Sequence, residues 1–112
     1  MTKYWYCLYD PGYRGNYNIR STTSFKAACA GLRKMVSESS TEDGGCIYDS
    51  DPGKLAPRFQ YGQIAPSLVG VIQKEGYKSK DYILYKRKPR TMMRYWPEYI
   101  VHYDGSLTAR KK

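Results

Sequence analysis

A single histidine, His102, stands among the 112 residues, and the three cysteines, Cys7, Cys29 and Cys46, form no C-x-x-C pair. A structural zinc needs four closely spaced Cys, His or carboxylate ligands, so this donor set argues against a metal site. The odd cysteine count and the lack of a secretory leader pattern argue against a disulfide framework; buried free thiols and a cytoplasmic setting are the expectation. The longest apolar run, Tyr4 to Tyr9, is six residues, far below the ~18 that span a bilayer, so no membrane partner is expected. The glycines match neither G-x-G-x-x-G nor G-x-x-x-x-G-K-S/T, because Gly12 and Gly15 lead into an Asn- and Tyr-rich loop and not into a helix. No cofactor is expected.

Catalysis is equally short of candidates. A nucleophilic triad, a metal pair or an acid–base pair needs particular side chains brought together, and His102 lies in a strand pattern beside Tyr103, where packing or surface duty is the simpler account. Asp49 and Asp51 flank Ser50 in a spacing that could hold a hard cation. The Pro52-Gly53 that follows makes a turn the better account, and no later acidic cluster completes a site. The expectation is a protein that is not an enzyme.

What the chain has in excess is positive charge and tyrosine: 19 Lys+Arg against 10 Asp+Glu, a formal charge of +9, and 13 Tyr. Through Ala56 there are 7 basic and 6 acidic residues; beyond it there are 12 and 4. Within the second part, residues 74–94 hold 8 basic residues against Glu75 and Asp81. Each Lys or Arg set against a phosphate releases condensed counterions, giving affinity that needs no base reading and decays with salt. Aromatics interleave with this run, and stacking of an unpaired base on a ring favours single strands over rigid duplex. The candidate binding residues are Lys78, Lys80, Lys86, Arg87, Lys88, Arg90 and Arg94 with Tyr85, Tyr95 and Trp96. The competing account is a solvated basic face with rings packed in the core.

The periodicity predicts one α+β domain, an antiparallel-rich sheet packed by one main helix, with residues 110–112 a frayed tail. Residues 4–9 suit a strand covered on both faces, closed by Asp10-Pro11-Gly12. After a polar loop with room for an extended segment at 17–20, Phe25, Ala28, Cys29, Leu32, Met35 and Val36 recur at helical steps after Thr23 and Ser24. That is the main helix, about 24–37, with Lys26, Arg33 and Lys34 in water and small residues Ala27, Ala28, Ala30 and Gly31 allowing it to lie flat on a sheet. Cys46-Ile47-Tyr48 reads as a short strand. Pro66, Leu68, Val69, Ile72 and Gly76 favour a second short helix, about 66–75, although Val69, Val71 and Ile72 are good strand residues too. Residues 81–88 read as a strand with Tyr82, Leu84 and Lys86 on one face and Ile83, Tyr85 and Arg87 on the other. A C-terminal β-hairpin turns at Asp104-Gly105, which suits a two-residue turn.

Two functions compete. The first is a non-enzymatic nucleic-acid-binding module, RNA or DNA with single strands favoured, its phosphates on the Lys and Arg of 74–94. The second is a small inhibitor or adaptor of the kind phages and mobile elements encode, as anti-CRISPR proteins are, bound to a nucleic-acid-handling protein complex; an aromatic and Arg-bearing surface suits protein hot spots. Family motifs do not decide between them. Arg14-Gly15-Asn16-Tyr17 departs from the RRM strand pattern at its third position, and Gly12-Tyr13-Arg14-Gly15 matches the KH loop without the apolar helices that should flank it.

Overall fold

Aromatic and β-branched residues along the chain build a seven-stranded sheet with a single α-helix laid on one face. The computed structural model describes residues 2–10, 15–38, 44–54, 67–74, 81–87 and 95–110. The strands are β1 (Tyr4–Asp10), β2 (Gly15–Thr22), β3 (Gly45–Tyr48), β4 (Leu68–Lys74), β5 (Tyr82–Arg87), β6 (Tyr95–Val101) and β7 (Leu107–Ala109). Their order across the sheet is β2-β1-β3-β4-β5-β6-β7, and every neighbouring pair is antiparallel.

The helix α1 (Phe25–Glu38) joins β2 to β3. Those two strands flank β1 and both oppose it, so they run parallel to each other, and a link between parallel strands must cross over. α1 is that crossover. Ser24 Oγ accepts the Ala27 N–H at 3.1 Å, capping the first turn. Ala28, Leu32 and Val36, four residues apart, are buried with Cys29. Gly31 lets the helix approach β1 closely: a Cβ there would lie 2.7 Å from the Tyr6 ring. The expected flat packing on small residues is thus realised at this point.

The helix covers a core of Leu8, Ile47, Ile72, Tyr82, Leu84 and Val101 from the sheet. On the opposite face Cys7, Tyr9, Cys46, Tyr48, Leu68 and Val71 are buried as a second cluster, with Trp5 and Tyr85 packed against it. The strand at residues 4–9 is therefore covered on both sides as its pattern predicts, Tyr4 and Tyr6 half-buried toward the helix and Tyr9 buried on the other face, although it lies beside the edge strand β2 and not at the sheet's centre. The two faces of β5 also divide as predicted, Tyr82 and Leu84 toward the helix and Tyr85 away from it.

Four expectations are corrected. The stretch 66–75 is not a second helix; Leu68–Lys74 is β4, which pairs with β3 and β5 on its two sides. β-branched Val69, Val71 and Ile72 fit a ladder offered from both sides better than an isolated helical turn. The extended segment at 17–20 is longer, the eight-residue β2, and carries a bulge opposite Tyr6 and Leu8 in which Asn18 has a φ of 56°. The C-terminal hairpin exists, but its loop is longer than two residues: His102 N–H donates to the Ser106 carbonyl at 3.0 Å and Gly105 N–H to the His102 carbonyl at 2.9 Å. Only Gly105 has a positive φ in that loop, 84°, the arrangement of a turn followed by a glycine bulge. Arg33, expected in water, is half-buried; its Nε donates to the Val101 carbonyl at 3.1 Å, and its guanidinium lies over the rings of Tyr82 and Tyr103 at 4.8 and 5.2 Å.

Candidate nucleic-acid interface

The antiparallel ladder decides which parts of the basic run can act together. Gly70 pairs with Lys86 and Lys74 with Tyr82, so β4 and β5 carry their cations at opposite ends. From Tyr82 to Arg87 the strand spans about 17 Å at ~3.4 Å per residue. Lys78 and Lys80 belong to the connection that leaves Lys74 and returns to β5; Lys88, Arg90 and Arg94 belong to the one that leaves Arg87 and re-enters at Tyr95, its register partner. These five lie outside the described residues. Of the sequence-predicted set, the ladder fixes Tyr85, Lys86 and Arg87 at the end of β5 and Tyr95 and Trp96 at the start of β6. Residues 85–96 hold five basic side chains and no acidic one, whereas residues 74–81 hold Lys74, Lys78 and Lys80 against Glu75 and Asp81. The larger excess in sequence belongs to the stretch that runs through Arg87, at the end of β5.

That end is also aromatic. Tyr4 and Trp5 begin β1, Tyr48 ends β3, Phe25 begins α1, and Tyr95 and Trp96 begin β6. Both tryptophans of the chain are thus at the same end. Trp96 pairs in register with Lys86, which places the two on one face. Lys3 Nζ lies 5.4 Å from the centroid of the Trp5 ring. β7 pairs only with Tyr99 to Val101 of β6, so the Tyr95-to-Pro97 half of β6 lies beyond its ladder. Pro97, which has no N–H to offer, blunts that edge against strand addition.

Lys86 is the centre of this end. It stands on the helix-facing side of β5, where its Nζ lies 5.6 Å from the Phe25 ring centroid and 5.9 Å from that of Tyr99. Glu98 Oε1 is 3.9 Å away, with the Lys86 side chain 39% and the Glu98 side chain 29% exposed. An exposed ion pair of that length contributes little, so it does not hold the ammonium away from another anion. Glu98 also accepts a hydrogen bond from Tyr99, and that bond with the carboxylate's charge raises the phenol above its ordinary value. A cleft of about 520 Å³ opens beside Lys86, lined by Thr2, Tyr4, Phe25, Asp49, Val69 and Lys86. The Tyr4 and Phe25 rings meet edge to face, centroids 5.3 Å apart. The volume is within the range of small-molecule sites.

Asp49 and Asp51, read together from their spacing, have different surroundings. Asp51 Oδ1 accepts the Gly53 N–H at 2.8 Å and forms the turn that leads into the 3₁₀ segment Pro52–Lys54. Asp49 instead lines the cleft. Among the described residues no group of three His, Cys, Asp or Glu is placed to hold a metal ion. His102 is exposed on the C-terminal hairpin, its Nε2 2.5 Å from Thr108 Oγ1.

Lys86, Tyr85 and Trp96 are therefore placed at this end by their own coordinates, and Arg87 and Tyr95 by their backbone register. Thr2, Lys3, Tyr4, Phe25 and Asp49 were not in the sequence-predicted set. They come from the first half of the chain, and only the crossover brings Phe25 beside Lys86. No helix among the described residues is long and apolar enough to cross a membrane. No family model, curated protein or solved structure matches the chain.

Proposed function

We propose that the protein is a non-enzymatic nucleic-acid-binding module that uses its Arg87 end to hold a single strand. The observation that carries this reading is the cleft that Lys86 shares with the Tyr4 and Phe25 rings, with Trp96 in register beside Lys86 and with Lys86 lying in a stretch of sequence, 85–96, that holds five basic residues and no acidic one. Phosphates would meet Lys86 and Arg87 together with Lys88, Arg90 and Arg94, while rings at the same end take unpaired bases.

Fluorescence anisotropy with labelled single-stranded RNA, single-stranded DNA and duplex, each between about 50 and 200 mM salt, tests this. Single strands should bind more tightly than duplex, with affinity falling steeply as salt rises. Each phosphate contact on a single strand contributes about 0.7 to the log–log slope, so Lys86→Ala should lower the slope by roughly that amount. If no strand binds at the lowest salt, the reading fails, and this end is left to an acidic protein surface.

A further inference from the structure

A carboxylate in the same cleft as Lys86 needs a reason. Asp49 lines the same cleft as Lys86, along with Tyr4, Phe25, Val69 and Thr2. A phosphate would be repelled by it, so Asp49 works against backbone binding and can help only by accepting hydrogen bonds from a ligand. The turn that follows does not claim it, since Asp51 makes the turn-forming bond.

We infer that this cleft receives one unpaired guanine of the bound strand, with Asp49 accepting from the base and Lys86 donating to it; the inference rests on the nucleic-acid reading above. The chemistry singles out guanine. Its N1–H and N2–H are adjacent donors that match the two oxygens of a carboxylate, and its O6 and N7 are the acceptors that suit a lysine ammonium. Cytosine and adenine place a ring acceptor beside their amine, which would face the carboxylate unfavourably. Uracil offers one N–H flanked by two carbonyl oxygens. The Tyr4 and Phe25 rings, set edge to face, and the Val69 side chain supply apolar surface against which a base can pack. In a duplex the guanine N1–H is already paired, so the cleft would discriminate in favour of unpaired strands as well as for the base.

The experiment compares two labelled RNA single strands of about nine nucleotides, a length typical of such sites, one all uridine and one with a single central guanosine. The intact chain should bind the guanosine strand at least about fivefold more tightly, the lower end of what one bidentate base contact provides. Asp49→Asn should weaken binding of that strand even though it removes a negative charge, and the preference should fall toward one. Simple electrostatics gives the opposite, a tightening of both strands alike. Equal affinities for the two strands, or Asp49→Asn tightening both, would overturn the guanine assignment while leaving the nucleic-acid reading in place. If neither strand binds at low salt, the parent reading and this inference fall together.

Discussion

Leu32 has no exposed surface and fills the space between α1 and the sheet. Leu32→Ala leaves a cavity there and should cost about 2 to 5 kcal/mol, measured by urea unfolding followed by tryptophan fluorescence. The cysteines are bound to the core in another way. Burial pushes the thiols of Cys29 and Cys46 up to about 12, and Cys7 is raised by burial and by the neighbouring Cys46. In the unfolded chain a thiol ionises near 8.5, so the native state keeps protons that the unfolded state releases. The stability these groups contribute is whole below that value and is lost as pH rises toward about 12. The urea midpoint should therefore decline above about pH 9, less steeply in Cys29→Ala. A thiol reagent at pH 8 should label none of the three cysteines in the native protein and all of them in denaturant. Asp104 shifts the other way. Hydrogen bonds from Ser106 hold its carboxyl below the ordinary aspartate value, with Lys26 and His102 nearby adding to the effect. Its contribution is present above about pH 3.9 and is lost on acidification through the lowered value.

Among elements, the C-terminal hairpin is the most sharply constrained. Gly105 has a φ of 84°, and a Cβ there would lie 2.6 Å from the Ala30 Cβ and from the Lys26 carbonyl oxygen of α1. Strain and close packing act together, so Gly105→Ala should destabilise by at least about 1 to 3 kcal/mol, seen as a lower urea midpoint. The glycine was visible in the sequence as half of an Asp-Gly turn. Its contact with the helix was not, because Ala30 and Lys26 lie 75 and 79 positions away. α1 itself was legible to within a residue at each end, since Ala28, Leu32 and Val36 repeat at four and Ser24 caps them. β4 was misread for a physical reason. Leu68, Val69 and Ile72 occur at spacings that satisfy a helix, and only the ladders from β3 and β5 decide the matter.

At the scale of the molecule, charge is the property that sequence revealed most directly and geometry refined most. The run 74–94 reads as one patch, but the ladder puts Lys74 and Lys86 at opposite ends of the β4–β5 pair. The alternation along β5 was enough to put Lys86 on the side opposite Tyr85 and Arg87. It gave no hint that Phe25, Tyr4 and Asp49 would gather beside it, because these meet Lys86 only after β1, β3 and α1 have packed. Conversely, exposed Tyr17, Ile19 and Tyr103 lie away from the Arg87 end, so exposure alone would have pointed to the wrong surface.

Trp5 and Trp96 both stand at the end assigned to the strand, so the protein carries its own reporter. Titrating it with an unlabelled single strand at about 50 mM salt should quench the tryptophan fluorescence saturably, and raising the salt to about 200 mM should reverse the quench. A strand that binds in anisotropy yet leaves tryptophan emission unchanged, or that quenches Lys86→Glu as fully as the unaltered chain, would place binding elsewhere and contradict the account.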